Sequence, residues 1–384
     1  MEKAARPFFP LVDALRAFAA LTVLVYHFIA HWDWTDFPAT GPLAWFRGGW
    51  MAVDVFFVIS GFVIGLSAFG RLDAQGEGFR KGFLRARLAR IVPLHFLTLA
   101  AYLAFVEPAL WSRDDIWPNV VAHLAFVHNL FFDWYGAING PNWSLGVEMQ
   151  FYLLVVLAAP WLRKVRPLPL ALLFVLTAWA WRWGAHLVYQ PGPVDVAYMA
   201  QTQLPGMLDE FALGLLLARL VRSASGQALL RRVGTESWLR HGLVLVAALG
   251  WWGVVALHQQ FDYWEEPAMA VFFRTGVAGC AALTVLLLCA VRVSRESVTA
   301  QASLYLGKIS YGLYLWHIPV LFLLGRHTEM EPLRALPIAI GITTGLAVVT
   351  WHCVEEPLLR RWAGRKSPAS PTAERVRAAP DGAL

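Results

Sequence analysis

Charge is scarce in this chain of 384 residues, and cysteine is scarcer. Only 15% of its residues are Asp, Glu, Lys or Arg, 58% are hydrophobic, and the mean hydropathy is +0.52. Soluble domains carry about 25% charged residues, so the shortfall excludes an ordinary soluble protein and leaves a polytopic membrane protein. The three cysteines, Cys280, Cys289 and Cys353, fall in or at the ends of apolar segments, with no CxxC and no His/Cys ligand spacing. That excludes a disulfide framework and indicates no metal site. No internal repeat and no second folded domain is visible. The net charge of +6 could point to nucleic acid, but the basic residues sit where a membrane protein puts them, and no nucleic-acid partner is expected.

What is present is apolar length. Ten runs read as spans: 11–31, 49–69, 91–107, 143–162, 168–189, 204–221, 242–258, 267–291, 303–325 and 335–354. The basic residues orient them. Of 32 Lys and Arg, 24 lie on the N-terminal side. Only Arg47, Arg113, Arg326 and Arg334 lie opposite, and Arg16, Arg182, Arg274 and Lys308 lie in or at the edges of spans. The bias makes the N-terminal side cytoplasmic. Lys3 and Arg6 resemble the start of a signal peptide, but Arg16 interrupts the run and no small-residue cleavage site follows, so it reads as an uncleaved first span. The segment 117–135, with His123 and His128, reads as an interfacial or re-entrant piece. The expected fold is an all-α polytopic bundle of about ten transmembrane helices with both termini cytoplasmic. Residues 1–365 form the membrane domain and 366–384 a disordered tail.

The first run, Leu11 to His31, carries Arg16 and His27 in hydrocarbon territory. Eleven residues at about 100° each come within about 20° of three whole turns, so both side chains leave one helix face about 16 Å apart. Facing lipid, each would cost a few kcal/mol, so this polar track must face protein or water. Depth counted along the helices brings Asp54, Glu148, His317, Asp209 and Glu210 near the level of His27, a candidate chamber opening outward. A second concentration is cytoplasmic. Arg87 and Arg90 share a helix face and offer two forks that could each take a phosphate, although, for that stretch alone, a positive-inside flank touching lipid headgroups is the favoured reading. Together with Arg16 they outline a cationic mouth leading along a polar face to a His/Glu/Asp cluster, suited to an anionic cytosolic donor and an outward-facing acceptor. Phe56 to Phe62 reads as a packing segment in which Gly61 permits close helix approach. Glu355-Glu356-Pro357 reads as a helix end at the cytoplasmic surface. Trp143-Ser144 reads as a belt aromatic with an N-cap. His123, His128, His186, His258 and His352 are left in packing or interfacial roles.

At this point the chain resembles acyltransferase family three, multispan bacterial enzymes that modify surface glycans and some metabolites. The matching pieces are Asp13-Ala14-Leu15-Arg16 with His27, Asp54 to Phe62, and Arg87-Leu88-Ala89-Arg90-Ile91-Val92-Pro93. Asn142 to Leu153, Gly307 to His317 and Val354-Glu355-Glu356-Pro357 follow in the family's order. The resemblance implies a bacterial inner-membrane O-acyltransferase that takes an acyl group, usually acetyl, from cytosolic acyl-CoA to a carbohydrate or glycolipid hydroxyl outside. Carried over, His27 and Arg16 form an essential pair, Arg87 and Arg90 meet the CoA phosphates, and Glu148 is the acidic residue. The working assignment is His27, Glu148 and Asp54 as catalytic residues and Arg16, Arg87 and Arg90 as the acyl-CoA site. Trp143, Ser144, Tyr311, Trp316 and His317 line the acceptor site. His27 acts as base or as transient acyl carrier, with Glu148 or Asp54 orienting it. Some relatives carry an additional hydrolase-like domain for which this chain has no room, so a separate partner or an unaided transfer is expected. A proton-coupled transporter or flippase using His27, Glu148, Asp54 and His317 as a relay is the rival reading, and a non-catalytic scaffold the third. The acceptor, the acyl group and the oligomeric state stay open.

Overall fold

The computed structural model describes residues 8–362; the expected tail from 366 onward lies outside them. Among the described residues every regular element is helical. In chain order these are α1 (Pro10–His31), α2 (Ala52–Gln75), α3 (Phe79–Ala101), α4 (Ile116–Leu124), α5 (Trp143–Lys164), α6 (Pro167–Tyr189) and α7 (Val194–Gln201). Then follow α8 (Leu208–Arg222), α9 (Ala224–Thr235), α10 (Ser237–Gln260), α11 (Pro267–Ala290), α12 (Val298–His327), α13 (Pro332–Thr350) and α14 (Glu356–Trp362). Prolines open α1, α6, α11 and α13, where the missing N–H has no helical partner to lose. Ser223 and Ser297 cap α9 and α12 by accepting from the N–H groups of Gly226 and Ala300.

Seven helical stretches among the described residues are long and apolar enough to cross a membrane, and one of them, Pro42–Val106, contains both α2 and α3. The chain is therefore a multi-pass membrane protein. Two stretches differ from simple spans. The nine residues of α4 rise only about 14 Å, too short to cross about 30 Å of hydrocarbon. Its neighbourhood leaves Trp117, Val121, Leu124, Phe131 and Phe132 exposed. The basic stretch before Ile91 differs from its reading as a flank. It is the first half of α3, continuous with the apolar half, so Arg87 and Arg90 stand on a helix packed into the bundle.

Close packing follows the small residues. α2 and α8 run parallel in contact at Gly61 and Gly214: a Cβ on Gly61 would overlap the carbonyl oxygen of Phe211, and one on Gly214 that of Val58. α1 and α12 also run parallel. Gly307 lies against Asp13, His317 against His27, and Gly325 against His31, so the two helices stay in register over the length of α1. Whatever α1 carries on that face, α12 covers or completes.

Candidate active site

Two polar zones lie along the α1 face that meets α12. The first surrounds the start of α1, where the Arg16 guanidinium lies 3.9 Å from the Asp13 carboxylate. α3 adds Arg90, which donates to Glu355 Oε2 at 2.6 Å and to the Lys308 carbonyl at 2.8 Å, and lies over the rings of Tyr311 and Trp351. Glu355 is fully buried. A π-helical turn, Trp351–Glu355, interrupts the helical path after α13 just before Glu356 and carries the carboxylate to Arg90. Arg87, one turn earlier on α3, lies over the rings of Phe83 and Tyr152 and donates to the Val63 carbonyl at 3.3 Å. It makes no ion pair with a described carboxylate. Tyr152 in turn donates to Glu148 Oε1 at 2.8 Å, and Ser60 donates to the same oxygen at 2.8 Å. Glu148 is thus tied by two hydroxyls to the guanidinium zone.

The second zone lies eleven residues along α1. His27 Nδ1 is 3.0 Å from the Val23 carbonyl and 3.2 Å from His317 Nε2, and His317 Nδ1 bonds the Tyr314 carbonyl. The Ser144 and Tyr314 hydroxyls lie 2.8 Å apart beside the Pro141 carbonyl. Phe56 packs edge-on against Tyr314, so α2, α5 and α12 converge beside His27.

Several sequence assignments occupy other places. Asp54 does not hydrogen-bond His27. Its carboxylate pairs with Arg274, and both side chains are almost wholly buried. Arg274 also donates to the Tyr263 hydroxyl at 2.9 Å and lies over the Trp50 ring. A second buried pair, Arg182 with Asp209, is joined through Thr275 to the same side of the bundle. Glu148 does not reach His27 either, and the ring that does is His317. Trp143 packs parallel to Tyr135 and edge-on to Phe57 and Tyr198, and Trp316 donates to Thr350 at 3.3 Å, toward α13. Tyr311 donates to the Ile91 carbonyl at 2.9 Å, under Arg90 rather than near His27. Glu355, Tyr152, Ser60 and Tyr314 are the additions. All four lie inside motifs quoted from the sequence. Ser60, Tyr314 and Glu355 meet partners 88 to 265 residues away, whereas Tyr152 meets Glu148 one turn along the same helix face. Among the described residues no group of three His, Cys, Asp or Glu is placed to hold a metal ion.

The sequence profile of the acyltransferase domain matches residues 9–352, nearly the whole chain and every element that builds both zones. The chain belongs to acyltransferase family three. Its relatives in this family include a putative peptidoglycan O-acetyltransferase, YrhL, of Bacillus subtilis, 26% identical over 91% of this chain and 55% of the relative. The peptidoglycan O-acetyltransferase OatA of Listeria monocytogenes is 25% identical over 92% of this chain and 56% of its own length. Acyltransferase MdmB of Streptomyces mycarofaciens is 28% identical over 94% of both chains. The chain thus spans about half the length of the first two relatives. No solved structure matches it. Apart from Glu355, both zones fall within the matched region.

Proposed function

We propose that the protein transfers an acyl group, acetyl in the first instance, from cytosolic acyl-CoA to a hydroxyl of a carbohydrate or glycolipid on the far side of the bacterial inner membrane. In this reading the helices make ten spans and both termini are cytoplasmic, as the distribution of Lys and Arg favours. The observation that carries it is the alignment of the two zones. Guanidinium groups gather at the N-terminal end of the α1 and α12 pair, and the His27 imidazole stands about 16 Å further along the same face.

The donor end fits an anionic cofactor arm. Arg16 and Arg87 are guanidinium forks without a close, short carboxylate partner, and Arg87 lies over two aromatic rings, which pre-orders it at low entropic cost. Arg90, locked to Glu355, holds the floor of this zone and adds positive charge. The thioester supplies an activated carbonyl. His27 takes the acceptor hydroxyl proton as oxygen attacks that carbonyl, and returns it to the thiolate as the carbon–sulfur bond breaks. Glu148, held by Ser60 and Tyr152, lies between the zones and balances the guanidinium charge. The peptidoglycan named for two relatives is one acceptor class, and other glycans fit the same chemistry. A proton-coupled transporter is not favoured: Asp54 is paired with Arg274, and neither it nor Glu148 is hydrogen-bonded to His27.

The test is incubation of purified protein with radiolabelled acetyl-CoA. Label transfer or donor hydrolysis that is lost in His27→Ala, and donor binding weakened in Arg16→Ala with Arg87→Ala, is the expected result. Undiminished turnover in His27→Ala would refute it.

A further inference from the structure

The pairing of His27 with His317 determines which imidazole nitrogen can react. A main-chain carbonyl only accepts hydrogen bonds, so Nδ1 of His317, bonded to the Tyr314 carbonyl, carries its hydrogen. A neutral imidazole has one N–H, which leaves Nε2 of His317 a bare acceptor. That nitrogen lies 3.2 Å from Nδ1 of His27, and the Val23 carbonyl lies 3.0 Å from the same Nδ1. Neither neighbour can give a proton. Nδ1 of His27 therefore holds the hydrogen and shares it between them, and Nε2 of His27 is left unprotonated.

Burial separates the roles of the two rings. His317 is fully buried, whereas His27 keeps some accessible surface. A ring with no accessible surface cannot meet an acceptor sugar, so the expectation that His317 lines the acceptor site does not match its place. We propose that His317 is a positioning residue that locks His27 in the Nδ1–H tautomer and presents Nε2 as the base. This rests on the reading of His27 as the catalytic base. In the step it serves, the acceptor oxygen bonds to the thioester carbon and the hydroxyl proton moves to Nε2 of His27. The carbon–sulfur bond then breaks and that proton passes to the leaving thiolate. Throughout, the Nδ1–H stays on His27, its hydrogen bond to Nε2 of His317 strengthening while the ring is cationic. The wrong tautomer would offer an N–H where a lone pair is needed.

Replacement series on His317 separate this role from packing. In Gln the amide oxygen reaches the level of Nε2 and can accept from His27. In Asn it stops near the level of Nδ1, and Leu accepts nothing. With purified protein and labelled acetyl-CoA, His317→Leu is expected to lower kcat by roughly 100-fold or more, inside the 10²–10⁴-fold range of a positioned general base, with donor KM unchanged. His317→Gln should recover most of the loss and His317→Asn should not, at equal thermal midpoints. A His317→Leu enzyme with wild-type kcat, or a Gln variant no better than Leu in equally stable proteins, overturns the proposal. Activity in His27→Ala overturns the underlying reading instead. Should the Leu variant fail to fold, ¹⁵N spectra of histidine-labelled wild-type protein decide, with the His27 signal identified by its absence in His27→Ala. The Nδ1–H tautomer supports the proposal and the Nε2–H tautomer refutes it.

Discussion

Replacing Asp54 with alanine tests whether its carboxylate serves the chemistry or, as the partner of Arg274, the fold. As a catalytic carboxylate it should be dispensable for stability, and its loss should abolish turnover. As the partner of Arg274 it should matter to the fold. Both side chains are buried to within 1% of complete exclusion, and among the described residues Arg274 retains only Tyr263 as a further side-chain hydrogen-bond partner. Removing one member of such a pair takes away the other's direct ion-pair partner in a low-dielectric bundle, at a cost of about 3–5 kcal/mol. At about 2 °C per kcal/mol for a chain of this size, Asp54→Ala is expected to lower the thermal midpoint by about 6–10 °C. Arg274→Met should cost at least as much, because Glu210 also faces Arg274 electrostatically. The double variant should cost clearly less than the two singles combined, since removing the second partner abolishes an interaction already broken. Thermal unfolding of detergent-solubilised protein, followed by size-exclusion fluorescence, reads these midpoints. An Asp54→Ala protein with the wild-type midpoint but no turnover would refute the ion-pair account and restore Asp54 to the chemistry.

Three further outcomes follow from the same structure. Gly61→Val places a branched side chain against the Phe211 carbonyl and should destabilise the α2 and α8 contact by about 1–3 kcal/mol, read as a lower midpoint or loss of folded protein on size exclusion. Glu355→Ala strands the Arg90 guanidinium, whose side chain is 19% exposed, and should cost about 1–3 kcal/mol while weakening donor binding in a direct binding assay. Tyr152→Phe and Ser60→Ala each remove one of the two hydroxyls on Glu148, and each should cost about 1.5–3 kcal/mol of stability, the double variant exceeding either single in unfolding measurements.

Legibility differed from residue to residue for physical reasons. Helical periodicity is local, so the shared face of Arg16 and His27 could be read directly, and the α1 and α12 contact runs along that face. The role of Gly61 as a point of close approach was likewise readable, because a small residue in an apolar segment has few other uses. The burial of Glu355 is not legible from Glu355-Glu356-Pro357, because nothing there announces a π-helical turn and an ordinary helix end would lie at the surface. For Asp54 and His317, depth along the helices and motif membership rank the residues along the membrane normal but not around it, so neither names the partner.

The sequence by itself determined the membrane class, the helical content, the family and the two polar ends of α1, since composition, hydropathy and spacing are properties of contiguous residues. Only the tertiary structure decided the partners: Asp54 with Arg274, Arg90 with Glu355, Glu148 with Ser60 and Tyr152, and His27 with His317. Apart from Tyr152, which lies one turn from Glu148, these partners are 88 to 290 positions apart, and how the helices dock settles which charge meets which. In a medium that offers no water to a stranded polar group, that docking also determines which side chains are left able to react.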